Sequence, residues 1–376
     1  MDPAERFAKR LSEVRNRLRT SGERAIRLTQ QKNVSWMIGG RTHINSASEL
    51  ACCQLLITPE TCVLISNNIE NRRLLEEEIG FAEGGGLTGN EVWNWYDPAS
   101  LGAAVERCTS GWGQVRTDVE LENVMLDLRT KIDGEDLQQA RVIGRLTAEA
   151  IGQAAQDTER GDTEFKIAGK LAYRCLERGL EPIVNLIAVD ERIYSRRHPL
   201  PTDKIVDRYA MLVLCARKNG VVFSATRLVH FGSISEELRK RHRAVAEIDA
   251  RLMDATRPGV KLADLYRQTQ QFYQDAGFKD EYQNHHQGGL TGYNSRERIM
   301  TQLEPLAVEA SQLYAWNPSV AGAKSEDTIC VQEASNELLT VSSDYPQIQI
   351  KVGERVWERP DILIRPYQIG VQTCSK

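Results

Sequence analysis

A chain of 376 residues, 41% hydrophobic and 27% charged, is long enough to bury two cores. Its formal net charge of −4, with both signs interspersed, excludes a basic nucleic-acid footprint and a surface made for anionic membranes. No apolar run approaches the ~20 residues that span a bilayer. The first stretch, MDPAERFAKRLSEVRNRL, is charged and amphipathic and contains no apolar signal core. The eight cysteines show no CxxC spacing, so the expectation is a cytoplasmic protein with reduced thiols packed in strand-like runs such as ACCQLLIT.

In chain order, residues 1–132 read as an α/β domain. A first helix ends at Ser21-Gly22, 25–28 is a strand and 30–37 a short helix; 50–58 and 63–66 are adjacent strands across TPET, and 69–79 is helical. The polar cluster Arg41, Thr42, His43, Asn45, Ser46, Ser48 and Glu49 is either a capped helix start or a lid facing a ligand. Asp133 and Asp136 suit the start of a helix with apolar positions Leu137, Val142, Ile143, Leu146 and Ile151 at helical spacing. A second domain, 133–376, begins there.

That domain contains a repeat. DTERGDTEFKIAGKLAYRCLERGLEP, from Asp157, aligns without gaps on ATRPGVKLADLYRQTQQFYQDAGFKD, from Ala255: Thr158 falls on Thr256, Gly161 on Gly259 and Gly179 on Gly277, at a constant offset of 98. The repeat predicts two similar α+β halves facing one another, with a ligand site between them. After the first copy, apolar runs flank Asn219-Gly220, a strong hairpin signal. After the second comes NHHQGGLTGY, 284–293, with two of the six histidines and three glycines in ten residues. Glycine at this density lets a backbone approach a ligand closely. The run QLYAWNPSVAGAKSEDTICV follows, and a last hairpin is expected through 337–342.

With these features the chain resembles the creatinase/prolidase/aminopeptidase P family. The resemblance implies an α+β protein: a small N-terminal creatinase-like α/β domain, then a C-terminal pita-bread domain with an internal pseudo-two-fold repeat. Family members normally bind two divalent metals through two hairpin aspartates, a histidine in the Gly-rich loop and two glutamates. The matching positions here are Val213 and Ser224 in VLCARKNGVVFSATR, Gly289 in HHQGGLTG, Asn317 in AWNPS and Glu326 in KSEDT, so one ligand of the five is kept. Two hard dications need several anionic oxygens. The family's histidine before the hairpin is kept as His198, in RRHPLP. Creatinase lacks metal and uses the corresponding histidine as general acid/base on a C–N bond.

The expected activity is therefore metal-independent, cofactor-free hydrolysis, or a related lyase or cyclase step, at a C–N bond of a small polar amino-acid-like molecule. His198 is the expected base, since imidazole exchanges protons near neutral pH. His285 and His286, neighbours on an extended segment, would face opposite ways, so only one of them enters the site. Glu326 would hold a substrate cation or accept its proton. Ser224, Gln287, the amides of Gly288 and Gly289, Tyr293, Arg296 and Asn317 would orient the substrate. Arg227 suits a substrate carboxylate or a structural salt bridge equally. By the resemblance, the 41–49 loop of a second subunit, His43 included, closes the site in a homodimer. The alternatives are a non-catalytic pita-bread module binding a peptide or protein, as in the large subunit of the FACT histone chaperone, and a metal-dependent Xaa-Pro peptidase using His198, His286 and Glu326.

Overall fold

The computed structural model describes residues 2–80, 86–132 and 134–367. Two compact units emerge, Met1–Lys131 with Asn219–Val221, and Ile132–Lys218 with Val222–Lys376. Asp133, expected to cap a helix, lies outside the described residues.

In the first unit, helix α1 (Pro3–Ser21) begins at a capping box between Asp2 and Glu5 and ends where Gly22 turns left-handed at φ 77°. Its buried Phe7, Leu11, Val14 and Leu18 recur at helical spacing. Strand β1 (Ile26–Gln30) leads into α2 (Gln31–Ile38), and the Asp118 carboxylate pins this junction by accepting from the Thr29 and Gln30 amides and from Asn33. β2 (Leu50–Ile57) and β3 (Cys62–Asn67) pair antiparallel. A helical turn, α3 (Asn71–Arg73), continues as a π-helix over Leu74–Ile79; β4 (Gly89–Trp93), α4 (Pro98–Thr109), β5 (Arg116–Thr117) and α5 (Glu122–Arg129) complete the unit. The sheet order is β4-β3-β2-β1-β5. The polar cluster at 41–49 forms no helix: Arg41 pairs with Glu78, and the Asn45 side chain accepts the Ala47 amide, closing a local turn. His43 lies half-buried in this segment.

The second unit is built on the repeat. Helices α6 (Gly134–Asp157) and α7 (Glu164–Leu176) precede β6 (Glu181–Val189), the short α8 (Glu191–Ser195), β7 (Tyr209–Lys218) and β8 (Val221–Phe231). Helices α9 (Glu236–Ala255) and α10 (Leu262–Asp275) then open the second copy. The correspondence extends to single hydrogen bonds. Thr158 and Thr256 each return their hydroxyl to the carbonyl four residues back. Gly161 and Gly259, at φ 94° and 87°, donate to Val206 and Val308, and Leu180 and Phe278 close both α7 and α10 on the carbonyls of Cys175 and Tyr273. Asn219 and Gly220 both have positive φ, 50° and 87°, as a two-residue type I′ hairpin requires.

After α10, a 3-10 turn (Glu281–Asn284) leads to β9 (Gly288–Thr291), β10 (Arg298–Ile299), β11 (Leu313–Trp316), β12 (Ser319–Val320), β13 (Ala323–Lys324), β14 (Asp327–Cys330) and β15 (Glu337–Leu338). One sheet runs β10-β9-β11-β14-β15; the other is β18-β8-β7-β6, with β18 (Leu363–Arg365) parallel to β8. Where the sheets meet, Ser224 N donates to Thr328 Oγ1 at 3.0 Å and Thr226 N to the Glu326 carbonyl at 3.0 Å.

Two expectations change here. Of 337–342 only Glu337–Leu338 is strand, adding to β14, and the last hairpin is instead β16 (Gln347–Val352) with β17 (Arg355–Pro360). Its short strands mix few apolar residues with polar and charged ones (QIQIKV, RVWERP), which hid them, and one of the charges, Arg359, is in fact fully buried. In α6 the buried stripe is Ala140, Ile143, Gly144, Thr147, Ala148 and Ile151, while Val142 is exposed. Small residues face inward because the next layer is close: a Cβ on Gly144 would lie 2.7 Å from the Leu339 carbonyl oxygen.

Candidate active site

The segment carrying His198 is held by a buried carboxylate. Glu164, in the first turn of α7, accepts from the amides of Val189 and Thr202 at 2.9 and 2.8 Å and from the Thr202 hydroxyl at 2.7 Å, and pairs with Arg192. Arg197 then pairs with Glu281 on the 3-10 turn before His285. These anchors bring residues 87 apart together: His198 Nε2 lies 2.9 Å from His285 Nε2.

His286 joins them. Its ring stacks on His285 with centroids 4.5 Å apart and lies 5.6 Å from that of His198, and one nitrogen from each of the three rings falls within 4.8 Å of the others. The expected alternation, with only one of the pair entering the site, is therefore corrected. Strict alternation belongs to a regular strand. Here β9 begins only at Gly288, whose φ of 105° breaks the extended path, and its amide donates to His286 Nδ1 at 3.3 Å.

Glu326 sits among cations. Its Oε1 accepts from Arg296 Nη2 at 3.1 Å, and its Oε2 from Lys324 Nζ at 2.9 Å and Thr226 Oγ1 at 2.7 Å. Burial alone would raise this carboxyl, but the Lys324 ammonium and the Arg296 guanidinium overcome it and hold it down at about 2. Glu326 is therefore an anion committed to two partners. Arg296 also donates to Ser224 Oγ at 3.2 Å, which lies 3.2 Å from Cys215 Sγ.

The other expected site residues divide. Gln287 is fully engaged within the fold, accepting from Tyr273 OH at 2.7 Å and donating to the carbonyls of Tyr282 and His285. Gly288 and Gly289 lie inside a strand, where a Cβ would meet the carbonyl oxygens of Ala315 and Arg298 at 2.0 and 2.1 Å; close strand packing accounts for these glycines, and Gly288's amide is taken by His286. Arg227 forms a structural salt bridge: both terminal nitrogens lie 3.1 Å from Asp327 Oδ1. Tyr293 is buried, its amide on Glu297. Asn317 is buried with an unpartnered Oδ1. His43 belongs to the other compact unit. Lys324 and Thr226 were missed, although each stands two residues along an extended segment from a residue already singled out, Glu326 and Ser224, and so on the same face.

The family model of metallopeptidase family M24 matches residues 138–333. The chain belongs to metallopeptidase family M24. It is 24% identical over 230 residues to the Xaa-Pro dipeptidase of Pyrococcus furiosus, an alignment covering 59% of this chain and 66% of that protein. It thus spans just under two thirds of the length of the curated relatives it matches. Among solved structures it is similar to an Xaa-Pro dipeptidase from Bacillus anthracis, with a TM-score of 0.74, 13% identity and coverage of 96% of this chain and 100% of that one. It is similar also to the N-terminal domain of FACT complex subunit SPT16 from chickpea (TM-score 0.67, 11% identity, 91% and 97% covered). These likenesses establish the fold: an N-terminal α/β domain and the M24 pita-bread domain.

The M24 family name implies metal, and the positions expected to match its ligands fit a dinuclear centre poorly. Val213 packs in an apolar cluster with Met211 and Leu228, Gly289 has no room for a side chain, Ser224 is engaged by Arg296, and Glu326 already holds two cations. Among the described residues the three imidazoles are the remaining donor set, and a His₃ group suits one borderline-soft ion. Burial lowers the basicity of all three, and Lys324 adds to this at each, as does Arg296 at His198 and His286, so the rings are held neutral.

His286, pushed down to about 4 by burial and then by Arg296 and Lys324, carries a pH prediction. Its folded-state pKa is below the unfolded value of ~6.5, so the unfolded chain binds more protons between those limits and stability falls as pH drops through that window. Thermal melts from pH 7.5 to pH 4.5 should show this loss, and His286→Gln should reduce it, leaving the part that His285 and His198 contribute. An unchanged slope in the variant would mean that His286 ionises freely in the folded protein.

Proposed function

We propose that this M24 chain is a hydrolase that cuts a C–N bond of a small polar, amino-acid-like substrate by histidine acid/base catalysis, without a metal. One observation carries the reading: three imidazoles converge within 4.8 Å of one another, within electrostatic reach of a carboxylate already paired with Lys324 and Arg296. One proton lies between His198 Nε2 and His285 Nε2. With His198 as its donor, the exposed ring keeps an unprotonated Nδ1. That nitrogen takes a proton from water as the water oxygen attacks the carbonyl or amidine carbon, and returns it to the leaving nitrogen as the C–N bond breaks. Dimerisation, with the 41–49 segment of one subunit closing the partner's site, and a cytoplasmic location belong to the same reading. Among the described residues no helix is long and apolar enough to cross a membrane.

A second reading is a metal-dependent Xaa-Pro dipeptidase with one ion on His198, His285 and His286. The convergence of their nitrogens and the names of the relatives favour it. The experiment that separates the two is chelation followed by assay on guanidino acids, amidines, amides and Xaa-Pro dipeptides. Turnover of a non-peptide substrate that survives chelation is expected. Turnover of Xaa-Pro dipeptides that requires one equivalent of Mn²⁺, Zn²⁺ or Co²⁺ would replace the first reading by the second. No turnover under either condition would leave a binding module.

A further inference from the structure

We propose that Cys52 and Cys53 form a redox-active thiol pair in the first compact unit, Cys52 being the thiol that a hydroperoxide oxidises and Cys53 the thiol that closes on it. Neither residue belongs to the candidate active site, so the hydrolase reading has no part in this proposal.

The pair stands where the sheet is irregular. β1 and β2 match Leu28 with Leu55 and Gln30 with Leu50, so Thr29 alone faces residues 51–54, and the bulge falls on the two cysteines. The Cys52 amide turns instead to the Thr42 carbonyl at 2.7 Å, and pairing of β2 with β3 starts at Cys53 and Ser66. Neighbours in a regular strand face opposite ways, and a bulge removes that alternation. Here the two thiols are hydrogen-bonded to one another.

Their surroundings divide the roles. Cys52 is half-buried, whereas Cys53 is 3% exposed. Arg73 Nη2 donates to Cys52 Sγ at 3.4 Å, and Arg73 is itself fixed by Glu70 at 2.7 Å and by Glu78 at 3.2 Å, with Arg41 also on Glu78. The hydrogen bond from Cys53, and then the Arg73 guanidinium, draw Cys52 below an ordinary thiol against burial and Glu70. The same hydrogen bond, with burial, pushes Cys53 up. Because the thiolate is the nucleophile, Cys52 reacts first. Cys108 is half-buried too, but burial and Glu91 push it up, so it serves as an internal control.

The Cys52 sulfur attacks one oxygen of the hydroperoxide. The S–O bond forms as the O–O bond breaks, sulfur loses two electrons to the peroxide, and the thiol's proton goes to the departing oxygen, giving water or an alcohol. The Cys53 sulfur then attacks the sulfenic sulfur: the S–S bond forms as the S–O bond breaks, and the hydroxyl leaves with the Cys53 proton as water. Adjacent Cα atoms lie ~3.8 Å apart across a trans peptide, short of the ~4.4–6.8 Å of ordinary disulfides. The disulfide is therefore strained and of the labile kind that cellular thiols reduce, which makes the pair reversible.

The experiment treats the full chain, reduced beforehand, with hydrogen peroxide and follows each cysteine by peptide mass spectrometry. The peptide holding Cys52 and Cys53 should lose two hydrogens before Cys108 reacts, and dithiothreitol should restore it. Cys53→Ser should stop at a sulfenic acid that dimedone traps, and Cys52→Ser should leave Cys53 reduced. Arg73→Met should slow the reaction by roughly 3- to 10-fold, since fewer thiolates form while each is more nucleophilic, and Arg73→Lys, which keeps the charge, should recover most of the rate. Alkylation of the untreated wild type by iodoacetamide needs no variant: Cys52 should be modified at lower pH than Cys108. The proposal is overturned if Cys108 is alkylated or oxidised as readily as Cys52, if a folded Arg73→Met reacts at the wild-type rate, or if the wild type stops at the dimedone-trapped sulfenic acid as Cys53→Ser does.

Discussion

Arg359→Met should destabilise the protein by about 3–5 kcal/mol, the range for breaking a buried ion pair from one side. Arg359 is fully buried on β17, and its Nη2 reaches Asp249 Oδ2 at 2.5 Å, Asp327 Oδ2 at 2.7 Å and Ser325 Oγ at 3.3 Å. Asp327 also takes Arg227 and the Thr340 hydroxyl, so α9, β8, β14 and β17 meet on two carboxylates. Removing the guanidinium strands Asp249 in a dry interior with Ser325 alone, and leaves Asp327 to Arg227 and Thr340. Because Asp327 is the chain neighbour of Glu326, the same network positions the site carboxylate. Urea denaturation followed by tryptophan fluorescence would read the loss as a lowered midpoint. The cause is electrostatic, so Asp249→Asn added to Arg359→Met should recover part of it, whereas a cavity would not be repaired that way. Burial pushes the Asp249 carboxyl up to about 6 despite the opposing Arg359. A raised folded-state pKa means that the folded form takes up a proton first. The deficit of Arg359→Met should therefore be smaller at pH 5 than at pH 8. A midpoint unchanged from the wild type would show that the network contributes nothing to the fold.

His198→Gln should lower turnover by ~10²- to 10⁴-fold with the fold intact, the usual contribution of a positioned acid/base group. Burial, and then Lys324, lower its pKa, so the wild-type imidazole is unprotonated through the neutral range and its rate should fall only on the acid side. Glutamine keeps a hydrogen bond towards His285 Nε2 but cannot exchange a proton, so the acid limb should vanish along with the activity. In the single-metal reading the same variant removes one ligand of three, and metal content falls with turnover. Measuring both in one preparation distinguishes a lost base from a lost ion. Activity within twofold of the wild type would remove His198 from the chemistry.

Much of the architecture was legible because the repeat ties local signals to one another. Gly161 and Gly259 are at equivalent positions because each turns the chain so that its amide reaches the carbonyl of Val206 or Val308, each next to an isolated bridge, and Asn219-Gly220 turns the hairpin because both residues accept positive φ. The site was only partly legible. His198 and His285 were both named, but their 2.9 Å contact depends on Glu164, 38 residues from Thr202, and on the Arg197–Glu281 pair, which joins residues 84 apart. Gly288 and Gly289 read as a loop approaching a ligand, whereas what approaches them is a neighbouring strand, since a glycine allows close approach without saying what approaches.

What the sequence by itself determined is the kind of most elements, the internal symmetry and the family. These rest on periodicity, turn chemistry and matched spacing, all local to the chain. The tertiary structure alone decided which charges meet. Lys324 and Arg296 on Glu326, both histidines of the pair on His198, and Arg359 on two aspartates are contacts between distant segments. Periodicity reports which face a residue takes, whereas the partner on that face, and with it the charge balance of the site, is set by how the sheets and helices of the pita-bread unit pack.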